Sequence, residues 1–267
     1  MQHAGTTRSR ARRPDLHQIG SINLTDLNII SKSYGRDFLP YPFMLTRPTR
    51  FATRDEYLSY ATSVPDRFKH GDLAMFQPWA ASYAYADIRV ECHVQYIPAD
   101  TPSIRVVGSR AGELGYLAKQ RPDDDVIDVY EVSPYDLGPA VADSVDLTKP
   151  GSRSEIVIPE YLPSSDNVDT AEDFTVLESA DISTATEVPR ADVAAFATVQ
   201  SHWRPTRRWG FDRRKNAAVW VRIKDDGEYL FAADFREARP MSRPMLAERI
   251  DKLIAADIKA LRNFRNR

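Results

Sequence analysis

A strand-rich block that ends in a helix occurs twice in this chain, from Ile88 to Val145 and again from Val193 to Ile254. Each copy opens with a long strand closed by proline (Pro98, Pro205) and later turns on consecutive aspartates (Asp123 to Asp125; Asp225 and Asp226 before Gly227). Each then places a proline ahead of its helix (Pro134, Pro240). These landmarks are offset by 107, 102 and 106 residues, so the copies align with small insertions although few residues are identical. A pattern repeat constrains the fold more than any single motif, because both copies must bury the same kind of sheet under the same kind of helix. A twofold scaffold without an evident reaction centre points to binding before catalysis.

Composition fills in the frame. A chain of 267 residues can bury a sizeable core, as one large domain or two small ones. The net charge of −2 is uninformative, but its distribution is not. From Pro163 to Pro189 there are seven acidic residues and no lysine or arginine, which reads as a solvated linker. From His202 to the end there are 17 basic residues against nine acidic ones. Cys92 is the only cysteine, which excludes an intramolecular disulfide and suits a reducing cytosol. No stretch reaches the ~20 apolar residues of a membrane-spanning helix. The start, MQHAGTTRSRARRPDLHQ, carries four arginines without an apolar core, so it is not a secretory signal. The expected organisation is a disordered basic leader (1–20), an N-terminal half (21–162), an acidic linker (163–190) and a C-terminal half (191–267), cytoplasmic and without membrane insertion.

Along the chain, Thr25 to Tyr34 predicts a short amphipathic helix stopped at Gly35. The proline-rich run from Arg36 to Pro48 cannot continue a helix or sit in a central strand, so it lies extended over an apolar surface or at a sheet edge. Thr53 and Glu56 form a capping box for a helix expected to fail before Pro65, and a second helical stretch follows Asp72. At Ile88 the period changes to two. Ile88, Val90, Cys92, Val94 and Tyr96 face one way, and Arg89, Glu91, His93 and Gln95 the other, as in a half-buried antiparallel strand with one face open. Cys92 is then buried and inert, and His93 a solvated surface histidine. Three further strands (104–110, 114–120, 126–132) form a meander covered by a helix from Pro134 to Val145, and the second half repeats the plan with a tight turn at Asp226-Gly227. The fold class is α+β: antiparallel sheet flanked by helices, in two pseudo-repeated halves of one domain.

Chemistry is sparse. The five histidines and single cysteine form no metal-ligand spacing, and Asp123, Asp124, Asp125 and Asp128 lack the alternation and glycine of a calcium loop. No nucleophile elbow, phosphate loop or dinucleotide fingerprint is present. No enzyme, cofactor or metal is expected. One segment stands out: His202 to Lys215 interleaves Arg204, Arg207, Arg208, Arg213, Arg214 and Lys215 with Trp203, Trp209 and Phe211. Cations for phosphates and rings for stacking give the alternative reading, a nucleic-acid-associated protein; the other reading is a solvated loop with arginines stacked on tryptophans.

Several landmarks in a shared order resemble the EspG family of type VII (ESX) secretion chaperones of actinobacteria. They are GRDFLPYPFML with its core at Leu39 to Pro42, the strand at Ile88 to Ile97, Gly115 to Gln120, Pro150-Gly151 before IVIPE, and DDGEYL at Asp225 to Leu230. The basic segment, the acidic linker and the longer leader depart from that pattern. The resemblance implies a pseudo-twofold sheet flanked by helices, and a cytosolic chaperone that holds the apolar tip of a PE–PPE heterodimer before export. A helical tip calls for an open, half-apolar sheet face and wrapping loops. The expected contacts are the stiff hairpin tip at Ile97, Asp100, Thr101 and Pro102, and the second tip at Trp203, Arg207, Arg208 and Trp209, with tryptophans as anchors. The protein itself is expected to be a monomer or weak dimer.

Overall fold

The computed structural model describes residues 13–98, 100–122, 124–161, 185–203, 210–212 and 214–267. Eleven strands join in one sheet of order β1-β5-β4-β3-β2-β8-β9-β10-β11-β6-β7. The first meander is β2 (Ile88–Tyr96), β3 (Ile104–Ala111), β4 (Leu114–Gln120) and β5 (Val126–Val132). The second is β8 (Val193–Trp203), β9 (Ala218–Ile223), β10 (Glu228–Phe231) and β11 (Ala238–Pro240). Each is flanked at its outer edge by a strand from earlier in the chain: β1 (His17–Asn23) on β5, and β6 (Ile156–Val157) on β11. The order is therefore palindromic about the antiparallel β2–β8 seam, where Cys92 faces Val199, and only β7 (Thr186–Glu187), parallel to β6, falls outside it. The fold is α+β, and the repeat legible in the sequence is a twofold arrangement within a single sheet.

One face of the seam carries α4 (Leu137–Ser144) and α5 (Arg243–Arg265), the closing helices of the two halves. Beneath them lie Val90, Cys92, Val94, Ala197, Val199 and Trp220, met by Leu137 and Val141 from α4 and by Leu246, Ile250 and Leu253 from α5. Leu246, Ile250, Leu253 and Ile254 recur at helical spacing, which puts them on one face of α5 against the sheet. On the opposite face the halves differ. In the N-terminal half α1 (Leu24–Ser33), α2 (Arg54–His70) and α3 (Gln77–Ala84) roof the sheet, burying Leu27, Trp79 and Tyr83 over Val107, Tyr116 and Val129.

Several expectations are corrected. The leader boundary at residue 20 is too late: β1 begins at His17 and pairs with β5, while residues 1–12 lie outside the described residues. A strand with Gly20 at a bulge and polar neighbours carries too little alternation to be recognised. Helix α2 passes through Pro65, which sits on its exposed side. Most of the acidic linker, 162–184, is outside the described residues, but its end belongs to the fold: Thr186–Glu187 forms β7 and Val188 is fully buried. In the β9–β10 turn the left-handed residue is Asp225 (φ 58°), not Gly227. Gly227 is needed for a different reason, since a Cβ there would sit 2.5 Å from the Lys149 carbonyl.

The largest correction concerns the polar face of β2, which is not open. Arg89 and Glu91 are buried, with Nε to Oε1 at 2.8 Å, and Glu91 Oε2 lies 3.4 Å from His202 Nε2 on β8. A central strand covered on both sides gives its charged residues no path to water, so they pair with each other. His93 is likewise largely covered by the segment 36–48. That segment does run over the sheet as expected: Phe43 is buried, the Met44 backbone exchanges two hydrogen bonds with the Gln120 amide, and Asp125 accepts from Thr46 N at 2.7 Å. Tyr41 Oη meets His93 Nδ1 at 3.4 Å. Burial, then the nearby Arg105 guanidinium, push the His93 imidazole down to about 4.

Candidate partner-binding groove

The sheet register decides how the two predicted tips relate. Ile88 opposes Trp203 and Tyr96 opposes Ala195, so β2 and β8 run in opposite directions over the same nine-residue span. Tyr96 and Trp203, the last strand residues before the two predicted tips, therefore stand at opposite ends of the seam. At ~3.4 Å per residue they are about 27 Å apart. Among the described residues, Ile97 and Trp203 are therefore not brought together.

At the first tip Ile97 is 51% exposed, and its N–H donates to the Ala194 carbonyl at 2.9 Å, which holds the side chain at the sheet end. Asp100, Thr101 and Pro102 are exposed beside it. Next to Ile97 a cavity of about 410 Å³ opens on the face opposite α4 and α5. Its walls are Tyr161, Phe196, Phe231 and Phe235, with Gln95 and Arg190 at the rim. The rings form a continuous series: Tyr161 to Phe196 edge-on at 5.7 Å, then tilted contacts of Tyr161 to Phe231 at 6.4 Å and Phe231 to Phe235 at 6.1 Å. Phe235 remains 36% exposed and holds φ at 60°, a conformation costing a non-glycine residue on the order of 1 kcal/mol. The Arg190 guanidinium lies 5.9 Å from the Tyr161 ring.

This strip is the twofold counterpart of the surface that α1, α2 and α3 roof in the N-terminal half. Among the described residues no helix covers it; only the segments around Ile158–Tyr161 and Val188–Asp192 border it. Aromatic walls with a polar rim form a surface for an apolar side-chain cluster. Among the described residues no cluster of histidine, cysteine and carboxylate side chains could hold a metal ion.

No protein-family model matches the chain, and no curated protein matches it. Among solved structures it is similar to a chain in the complex of the Mycobacterium tuberculosis type VII secretion system chaperone EspG5 with a PE25–PPE41 dimer. The TM-score is 0.46 and the identity 11%, over 88% of this chain and 95% of that chain.

The second tip is less informative. Trp203 is half buried against the core and packs on Phe264 of α5 at 5.7 Å, so it faces the helix layer. Arg207, Arg208 and Trp209 lie outside the described residues. Where the segment resumes, the backbone of Asp212 is held by the buried Gln200 amide (Asp212 N to Oε1 at 2.7 Å), and Lys215 Nζ reaches Asp257 of α5 at 2.9 Å. At least this cation serves the fold. The groove aromatics went unrecognised in the sequence because they come from three separate stretches of chain. Phe196 alone carried a signal, a large ring on the same side of β8 as Thr198 and Gln200.

Proposed function

We propose that the chain is a non-enzymatic chaperone of the cytosol that holds the apolar tip of a helical secretion substrate of the PE–PPE kind, without a cofactor, and releases it unchanged. The observation that carries this reading is the asymmetry of the sheet. Two equivalent halves present equivalent apolar faces; one is roofed by helices, and the other offers an aromatic groove beside an exposed isoleucine. A partner helix laid there would play the part that α3 plays over Val107 and Tyr116. The ordered landmarks from LPYPF to DDGEYL favour a type VII substrate over other helical partners. No helix among the described residues is long and apolar enough to cross a membrane.

Coexpression with PE–PPE pairs encoded near its gene tests the reading. A stable one-to-one-to-one complex through size exclusion is expected. Failure with every such pair, while the chain itself stays folded, overturns it.

A further inference from the structure

Two arginines are buried among the described residues, and they are served very differently. Arg89 has Glu91 at 2.8 Å, whereas Arg105, 7% exposed, meets no carboxylate. The Arg105 fork makes do with poor partners. Nη1 donates to the Ser103 carbonyl at 3.3 Å, Nη2 to the Met44 sulfur at 3.1 Å, and Nε has no hydrogen-bond partner. A thioether is a weak, neutral acceptor, while a guanidinium presents parallel N–H groups that fit the two oxygens of a carboxylate. Burial pulls the Arg105 pKa below its ordinary value, and only the Tyr41 hydroxyl opposes it. A buried cation without a counter-charge costs stability, and such groups gather where a ligand supplies the missing charge.

The surroundings complete a receptor. His93 faces Arg105 directly across the β2–β3 pair, and its Nε2 is buried with no hydrogen-bond partner. Thr198 of β8 faces His93 in turn, so the three form one row across the sheet. Met44 is the cover. Its backbone is fixed by both hydrogen bonds to the Gln120 amide, but its side chain is 49% exposed, so a rotamer change alone uncovers the guanidinium. The aromatic groove begins beside this row. Gln95, on its rim, follows His93 on the same face of β2 and stands opposite Phe196. At ~3.4 Å per residue and ~4.8 Å between strands, the backbones of Gln95 and Arg105 are about 8 Å apart. A helix advances about 6 Å in four residues, so an acidic side chain one turn beyond apolar residues seated among the rings reaches the guanidinium.

We propose that Arg105 and His93 form a carboxylate-binding site at the end of the aromatic groove, covered by the Met44 side chain and filled by an aspartate or glutamate of the helix that the groove holds. The site follows from the geometry of this chain, and its occupant rests on the function proposed above.

The full chain and its Arg105→Met variant test both parts. With no carboxylate to strand, Arg105→Met is expected to keep the thermal midpoint of the parent or raise it, while weakening capture of the PE–PPE pair at least about tenfold. A midpoint several degrees lower with capture unchanged shows an arginine that serves the fold, and overturns the proposal. Sodium formate probes the site without the pair. At about 100 mM, and against sodium chloride of equal ionic strength, it is expected to raise the parent midpoint by about 2 °C and to leave Arg105→Met unmoved. Equal responses of the two proteins mean that no carboxylate site exists. A formate response confined to the parent, with undiminished capture by Arg105→Met, keeps the site and removes the partner's carboxylate from it. If the parent captures no pair at all, the chaperone reading and this occupant fall together, and the formate comparison still decides the site.

Discussion

Gly151 packs so closely on the phenol of Tyr229 that a Cβ at position 151 would overlap the ring. The Tyr229 hydroxyl accepts from Arg153 N at 2.9 Å and donates to Asp226 Oδ2 at 2.6 Å. One tyrosine thus clamps the chain crossing at Pro150–Arg153 onto the β9–β10 turn. Gly151→Ala is expected to destabilise by about 1–3 kcal/mol, as overpacking does, with a lower urea midpoint and an unchanged slope. Tyr229→Phe keeps the ring and loses both hydrogen bonds, so about 1–2 kcal/mol is expected. An unaltered midpoint for Gly151→Ala would show that the crossing is not clamped there.

Glu91 is the charge on which the centre of the sheet depends. It faces Arg89 on its own strand and His202 on the neighbouring one. Glu91→Gln takes the carboxylate away from the buried Arg89 guanidinium and from His202, and is expected to cost about 3–5 kcal/mol. Replacing Arg89 and Glu91 together by methionine and leucine is expected to cost much less, since both buried charges are then removed. Chemical denaturation of the three variants checks the order.

His93 gives the fold a defined acid response. Its folded value of about 4 lies below the usual imidazole value of about 6.5, so the folded state binds this proton less readily than the unfolded chain. Its contribution is complete above about pH 6.5 and is lost as pH falls towards 4. The ceiling is about 3 kcal/mol, at about 1.4 kcal/mol per unit. His93→Gln is expected to flatten stability between pH 6.5 and 4 relative to the parent chain. Parallel curves for the two proteins would remove His93 from this role.

Ile97 separates binding from folding. Its side chain is half exposed, so Ile97→Asp is expected to leave the thermal midpoint within about a degree while weakening partner capture at least tenfold. Phe196→Ala, within the ring series, is expected to lower both. If Ile97→Asp binds the PE–PPE pair normally, the groove is not where that pair docks.

Cys92 has no solvent exposure, and burial raises its thiol well above the ordinary value. It is expected to resist a thiol reagent at pH 8 for as long as the sheet stays closed, and to react at the rate of global opening. Fast labelling under native conditions would mean that the β2–β8 seam opens locally.

Much of this architecture was readable in advance, and the misses share a cause. The alternation of Ile88 to Tyr96, the Thr53–Glu56 capping box and the α5 stripe are local signals, and each produced its element. The pairing of Arg89 with Glu91 was invisible because alternation reports which side a residue takes, not what later covers that side. The 36–48 segment and α3 supply that cover from elsewhere in the chain. The groove failed to register for a similar reason: Tyr161, Phe196, Phe231 and Phe235 span 75 residues and meet only through strand order. Conversely, Trp203 looked like an exposed anchor because tryptophan beside arginines suggests a surface, yet its strand position turns it towards Phe264.

The antiparallel seam has a practical corollary for labelling. A dye or affinity handle near Gly210 sits a full strand length from Ile97, on a part of the chain anchored by Gln200 and Lys215. Such a probe can follow capture and release at the groove as a change in tumbling or distance, without taking part in the contact it reports.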